Sequence, residues 1–401
     1  MKEKPYYRTL KSATDRLLQS LDDQGATDQA TCYDALRKAL SGPEAAPDPK
    51  PWEKPEVKAA LTSARDHFET GDPKAAVQAL AALKPPALLT SATQWQDSKP
   101  PDPVLWRDDD STRWPQPVLS VGELCLLSGE GGLGKSYVTL ALAHAAATAD
   151  GDSGSACGLR VRPGPAVLVS YEDSPVRIAD RLRWMAGGIP AGLHLWDDPS
   201  PLWAADPESR GESKPGAAWD RLWQEVRASS PSLVVVDPAS AALADLDTSQ
   251  TGPVRQFLRA LSGEAAAARC GVLVVTHSTK AARNAARRGE DPGAGVVSGS
   301  AAWFDGARGV LSLWQDRLSN DRVMVCEKSN YGKKGWGVRL YERLDGQGHF
   351  QGLAAHESGP LERNGVREFW KSQKPSQANA KNGGQRAAKP NGRSQPGNPY
   401  E

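Results

Sequence analysis

The stretch Leu124–Ala145 reads LCLLSGEGGLGKSYVTLALAHA. Its opening, Leu124 to Leu127, is apolar in the manner of a buried strand, and its second half has the composition of a helix. Between them, Gly129-Glu130-Gly131-Gly132-Leu133-Gly134-Lys135-Ser136 meets the spacing G-x-x-x-x-G-K-[ST] at every fixed position. Glycines at this spacing let backbone N–H groups curl around an oxyanion, and the following helix adds its dipole. Lys135 is placed to reach β- and γ-phosphates and Ser136 to ligate Mg²⁺, with Tyr137 next in the binding segment. A nucleotide, ATP by expectation, therefore sits here. The loop alone does not say what that nucleotide drives.

Outward from it, short apolar runs alternate with helical stretches from about Val118 onward. The predicted strands are Leu124–Ser128, Ala166–Tyr171, Leu193–Trp196, Leu233–Asp237, Val272–Thr276, Val310–Trp314, Val323–Glu327 and Val338–Tyr341. The early ones are continuously apolar, as parallel strands covered on both faces must be. The later ones leave no room for helices between them, which implies an antiparallel extension. The fold class expected is α/β, a mainly parallel phosphate-loop sheet with a small antiparallel addition.

Several strand ends carry polar residues. SLVVVDPAS ends its apolar run in Asp237, placed to hold the Mg²⁺ shell as a Walker-B aspartate does. VLVSYEDSPVR puts Glu172 straight after a strand, where a carboxylate can polarise a water in line with the γ-phosphate. Its neighbour Asp173 suits the cap of the helix starting near Pro175 better. VLVVTHSTK brings Thr276 and His277 to a third strand end, beside the γ-phosphate. Arg308 and Lys328 come late in the chain. An arginine there is hard to assign to its own subunit's nucleotide and easy to assign to a neighbour's, as a finger that stabilises transition-state charge.

Composition restricts the wider setting. The 401 residues carry a net charge of +1, so nucleic-acid binding has to come from local basic patches. No apolar run approaches the ~18 residues of a membrane span. The start, MKEKPYYRTL, has no apolar signal core. The five cysteines lack C-x-x-C spacing. A cytoplasmic protein without structural zinc is expected.

The series GEGGLGKS, YEDS, LVVVDPAS, VVTHSTK, GSAAWFDGAR and EKSNYG resembles the RecA-type ATPase core of RepA-like hexameric replicative helicases, and of the broader RepA-like AAA-family ATPases of mobile elements. The resemblance covers roughly Leu88 to Leu344. It implies a catalytic carboxylate at Glu172, a Walker-B residue at Asp237, a phosphate-sensing histidine at His277, an arginine finger at Arg308 and a helper lysine at Lys328. The family often has two consecutive histidines where this chain has Thr276 and His277. KAARNAARRGEDPGAGVVSGS matches the place where such motors aim a loop at the ring's pore. Arg283, Arg287 and Arg288 there are candidates to grip a strand's phosphates, or else simply solvate a helix face.

The chain divides by expectation into a helical region (1–84), a Pro/Asp/Trp-rich connector (85–117), the ATPase domain (118–354) and a disordered basic tail (355–401). Within the domain, Ser200–Gly216 reads as an unstructured loop. The function expected is an ATP-dependent DNA helicase or translocase: a self-assembled ring, by resemblance a hexamer, on single-stranded DNA, with a primase or replication initiator as a candidate partner. The alternative is an ATP-gated regulatory or recombination-accessory protein that separates no strands.

Overall fold

The computed structural model describes residues 100–108, 116–151, 153–206, 213–243, 246–347 and 349–374, and before them Ser63, Asp66, His67 and Ala75. The chain divides into two units, residues 1–100 and 101–401. Of the five described residues of the first, Ser63, Asp66, His67 and Ala75 are helical and Pro100 is not; the helices expected over 1–84 otherwise lie outside the described residues.

In the second unit the elements follow in order. Strands β1 (Pro103–Arg107), β2 (Gln116–Ser120) and β3 (Leu124–Gly129) lead into helix α1 (Lys135–Thr148). Then come β4 (Gly154–Ala156), β5 (Leu159–Val161), β6 (Ala166–Ser170), α2 (Pro175–Ala186) and β7 (Leu193–Trp196). A short hairpin of β8 (Trp203–Ala205) and β9 (Ser213–Pro215) precedes α3 (Trp219–Ser229), β10 (Leu233–Asp237) and α4 (Ala239–Ala242). Helix α5 (Thr251–Ala267), β11 (Gly271–His277), α6 (Lys280–Arg287) and α7 (Ala302–Gly306) come next. Last are β12 (Gly309–Gln315), β13 (Arg322–Ser329), β14 (Gly337–Leu344), β15 (Phe350–Ala355) and α8 (Arg363–Ser372).

Nine strands form one sheet in the order β15-β14-β13-β12-β3-β11-β10-β6-β7. From β12 to β7 neighbours are parallel, and β13, β14 and β15 add antiparallel. The central strands are apolar on both faces because both are covered. On one face Leu124, Val234, Val236, Val272 and Val274 meet Trp219, Trp223, Phe257 and Trp303. On the other, Cys125, Leu127, Val235 and Leu273 meet Val138, Leu142 and Leu182. This is the mainly parallel α/β core with an antiparallel extension that the periodicity implies.

Three segments differ from expectation. The connector is not irregular throughout: β1 and β2 pair with each other and, with β5 and β4, make a four-stranded sheet in which Val104, Leu105 and Leu119 are fully buried. The span Ser200–Gly216 contains the β8–β9 hairpin, anchored by buried Trp203, whose Nε1 donates to Ser213 Oγ at 2.8 Å. The tail does not begin at 355, because β15 ends there and α8 follows. Val366, Phe369 and Trp370 fall at helical spacing and are buried, with Trp370 edge-on to Trp314 at 5.3 Å. Three apolar residues among charged neighbours suffice to dock a helix, although mean composition there reads as tail. Residues after 374 lie outside the described residues.

Candidate functional site

Strand order decides what meets at the sheet's carboxyl edge. Along β3-β11-β10-β6 the four strand ends carry, in turn, the phosphate loop, His277, Asp237 and Glu172. Pairing ties them together: His277 lies opposite Gly129 and Asp237 opposite Ser170. Ser278 donates its backbone N–H to the Gly129 carbonyl, and Tyr171 donates its own to that of Asp237. Residues more than a hundred positions apart thus line one cavity of about 260 Å³. Its walls include Gly131, Lys135, Ser136, Tyr137, Glu172, Asp237 and His277. A carboxyl-edge crevice is where open α/β sheets bind ligands.

The loop has the geometry of an anion cradle. Gly132 and Gly134 hold φ of 78° and 93°, a left-handed region that suits glycine. A Cβ at Gly131 or Gly132 would meet nothing within 4 Å, so that side is open to a ligand. At Gly134 it would stand 2.9 Å from Leu353 Cδ1. The loop's outer flank is held by Arg322, whose Nε donates to the Leu133 carbonyl at 3.3 Å. Lys135 is buried, its Nζ donating to the Gly129 and Glu130 carbonyls at 3.0 Å each. Burial lowers its pKa, while Asp237, Glu172 and Glu130 pull the other way.

Asp237 is 6 % exposed and its pKa is pushed up to about 6, chiefly by burial, with the Ser136 hydroxyl opposing the rise. A carboxylate made this reluctant to ionise is one that gains from a cation. Among the described residues there is no group of three or more His, Cys, Asp or Glu side chains able to hold a metal. A Mg²⁺ ion that arrives with nucleotide phosphates, and takes one or two protein oxygens from Ser136 and Asp237, fits this donor set. Glu172 is exposed at the cavity's mouth. His277 is also exposed, its pKa lowered first by burial and then by the Lys135 charge.

Some sequence readings need correction. Thr276 does not share the cavity. Val275 and His277 line it, so alternation turns Thr276 to the opposite sheet face, where its hydroxyl is buried with no hydrogen-bond partner among the described residues. The cap of α2 is Ser174, whose side chain accepts from Arg177 N, and not Asp173. Asp173 instead lines the cavity and pairs with Arg181. Arg181 was not singled out by the sequence. Its guanidinium lies 5.1 Å over the Tyr137 ring, which packs edge-on to Phe350 at 4.7 Å. Arg283, expected to reach outward, pairs with Glu130 of the phosphate loop at 3.0 Å.

Arg308 and Lys328 are brought together, but elsewhere. β12 runs parallel to β3 with Gly309 opposite Cys125, so Arg308 stands at the sheet's amino edge. Lys328 lies opposite Val310 on β13, at the same edge. The five-residue step from Leu124 to Gly129 is about 17 Å of strand. Lys328 Nζ donates to the Phe304 and Asp305 carbonyls at 2.8 and 3.2 Å, fastening the end of α7 that leads into exposed Arg308.

The model of the AAA domain family matches residues 83–283, half of the chain, and takes in the phosphate loop, Glu172, Asp237 and His277. No curated protein matches the chain.

Proposed function

The chain belongs to the AAA domain family of nucleotide-binding ATPases, and on that footing we propose that it is a RepA-like motor whose ATP sites are completed between subunits of a ring. In this reading Lys135 exchanges the two loop carbonyls for the β- and γ-phosphates, and Ser136 and Asp237 take the accompanying Mg²⁺. The ion supplies neutralisation of charge on the β- and γ-oxygens. Glu172 orients and polarises the attacking water. His277 hydrogen-bonds the terminal phosphate and registers its loss. Arg308 of the adjoining subunit, held by its own Lys328, stabilises the charge that develops in transit. The work extracted is movement along single-stranded DNA in the replication of a mobile element. No helix of the described residues is long and apolar enough to cross a membrane.

The observation that carries the proposal is the separation of cations from cradle. Arg308 and Lys328 share one sheet edge and the phosphate loop occupies the other. A finger on the amino edge is of no use to its own nucleotide. It is well placed for that of a second copy stacked edge to edge.

Molar mass by light scattering, with and without ATP and Mg²⁺, tests the assembly directly. The expected result is a nucleotide-dependent ring whose specific ATPase activity rises with protein concentration and again with added single-stranded DNA. A monomer with concentration-independent turnover would sink the proposal.

A further inference from the structure

In the phosphate loop Leu133 stands between two glycines, and the direction of its carbonyl decides where the next amide faces. Across a trans peptide the C=O and the following N–H share a plane and point opposite ways. Gly131, Gly132, Gly134 and Lys135 line the nucleotide crevice, and Leu133 does not. A Leu133 carbonyl turned away from the crevice therefore turns the Gly134 N–H into it. The local sequence leaves that choice open. Gly134 sits at φ 93°, and a glycine takes either sign of φ without a steric penalty. Flipped, the same peptide would present a carbonyl oxygen to the anion it has to bind.

The choice is made 189 positions later, by the first residue of β13. Arg322 is 9 % exposed and stands outside the crevice's walls. Its Nε donates to the Leu133 carbonyl at 3.3 Å, its Nη1 to the Asn320 carbonyl, and its Nη2 to Glu342 of β14 at 2.7 Å. A guanidinium is a rigid planar fork, so one engaged at all three nitrogens cannot turn aside. The hairpin that carries it is itself pinned. Asn320 holds its turn at φ 62°, Asp316 N donates to the Asp321 carbonyl at 2.8 Å, and Asp316 pairs with Arg339. Leu353 of β15 closes on Gly134 from the other side. The antiparallel extension thus touches both residues of the peptide.

We propose that Arg322 is a positioning residue of the nucleotide site: by holding the Leu133 carbonyl outward it keeps the Gly134 N–H aimed at a phosphate oxygen before the nucleotide arrives. The inference rests on the reading of this crevice as the nucleotide site, and it gives the antiparallel extension a task there. Arg322 touches no phosphate itself. It acts by preorganisation, since a peptide that must be turned and held at the moment of binding lowers the affinity. The effect falls on the polyphosphate and not on the base, because the backbone amides of such a loop serve the phosphates.

The test titrates the full chain, with Mg²⁺ present, against a fluorescent ADP analogue and against inorganic pyrophosphate, below the melting temperature of every variant. Arg322→Met fills the buried space and donates nothing. It should weaken both ligands alike, by at least about tenfold, the worth of one hydrogen bond to a charged group. Arg322→Lys, with one donor in reach of the carbonyl, should recover most of that loss. Arg339→Met breaks the pair with Asp316 in the same hairpin and leaves Arg322 in place, so it should lower the melting temperature and leave both affinities unchanged. Leu133–Gly134 is the one Leu–Gly step in the sequence, so ¹³C at leucine carbonyls and ¹⁵N at glycine amides give this peptide a cross-peak of its own. In the wild type, pyrophosphate should move the Gly134 amide and leave the Leu133 carbonyl nearly still. A carbonyl that shifts along with the amide means that the peptide turns on binding, and overturns the proposal even where no variant folds. Unchanged affinity in Arg322→Met, or an equal loss in Arg339→Met, overturns it while the nucleotide site stands. A wild-type chain that binds neither ligand overturns the site and the clamp together.

Discussion

Arg308 donates its backbone N–H to the Leu124 carbonyl at 2.9 Å, which fixes it beside the first residue of the strand whose last residue, Gly129, begins the phosphate loop. The guanidinium and the ammonium of Lys135 thus belong to opposite ends of one pair of strands. Two inactive variants should therefore rescue each other. In the proposed motor, Arg308→Ala would keep its cradle and lose its finger, while Lys135→Ala would keep its finger and lose its cradle. Each alone should hydrolyse ATP at least about 10³-fold more slowly than wild type. Mixed and reassembled, they should regain a sizeable fraction of activity in a phosphate-release assay. No gain on mixing would mean that the finger acts within its own subunit, or not at all.

Glu172→Gln keeps the shape of the side chain and removes its ability to take a proton. Turnover should fall by about 10²–10⁴ while the affinity for a fluorescent ATP analogue changes little. This variant also separates the motor from an ATP-gated switch. A switch would show almost no hydrolysis in the wild type for the substitution to remove.

Asp237 carries a raised pKa, so its sign runs opposite to that of a salt-bridged acid. The native state holds the proton more tightly than the unfolded chain, and ionising it above about pH 6 costs folding free energy on the order of 3 kcal/mol. Asp237→Asn should consequently raise the melting temperature of the nucleotide-free chain at pH 7.5 and still abolish hydrolysis. In the wild type, the Mg²⁺ concentration needed for half-maximal activity should climb as pH drops below 6, since the ion must then displace a proton. A variant melting at or below the wild-type temperature would contradict this account of the site.

Glu327 gives a second pH signature, away from the nucleotide. Burial pushes its pKa up to about 8, and its carboxyl accepts from the Ser312 hydroxyl, to which Trp314 Nε1 also donates at 2.7 Å. The stability held by this protonated acid is present in full below the unfolded value near pH 4.5 and is lost as pH rises through 8. Calorimetry should show the melting temperature declining over that window and a shallower decline in Glu327→Gln. Identical slopes for the two proteins would remove Glu327 as the cause.

Much of this arrangement is written in local pattern. Strands Leu193–Trp196 and Leu233–Asp237 were legible to the residue, because the first alternates around exposed His194 and stops at Asp197, and the second is an apolar run that ends in Asp237. The phosphate loop needs only its spacing. Thr276 was misplaced for a definite reason: Val272 to Val275 are apolar on both faces, so the run carries no phase that would say which way the next side chain turns. Asp173 and Arg181 meet locally, across the first turns of α2. The spacing Asp173, Arg177, Arg181 puts an acid and two arginines on one helical face, a signal that the reading of Asp173 as a cap passed over. Strands β4 and β5, three residues each, are too short to show alternation. In α8 the charged residues outnumber Val366, Phe369 and Trp370, and hide a face that depends on where the sheet supplies a partner.

Strands β3 and β12 are bonded rung by rung from one end to the other, and a ladder of that kind is stiff along its length. If closing on nucleotide tips the carboxyl edge of one subunit, the opposite edge must swing with it, as the far arm of a seesaw does. In a closed ring that far arm is the group on which the next subunit's chemistry waits. Timing around such a ring would then need no separate messenger, because the sheet itself carries the beat.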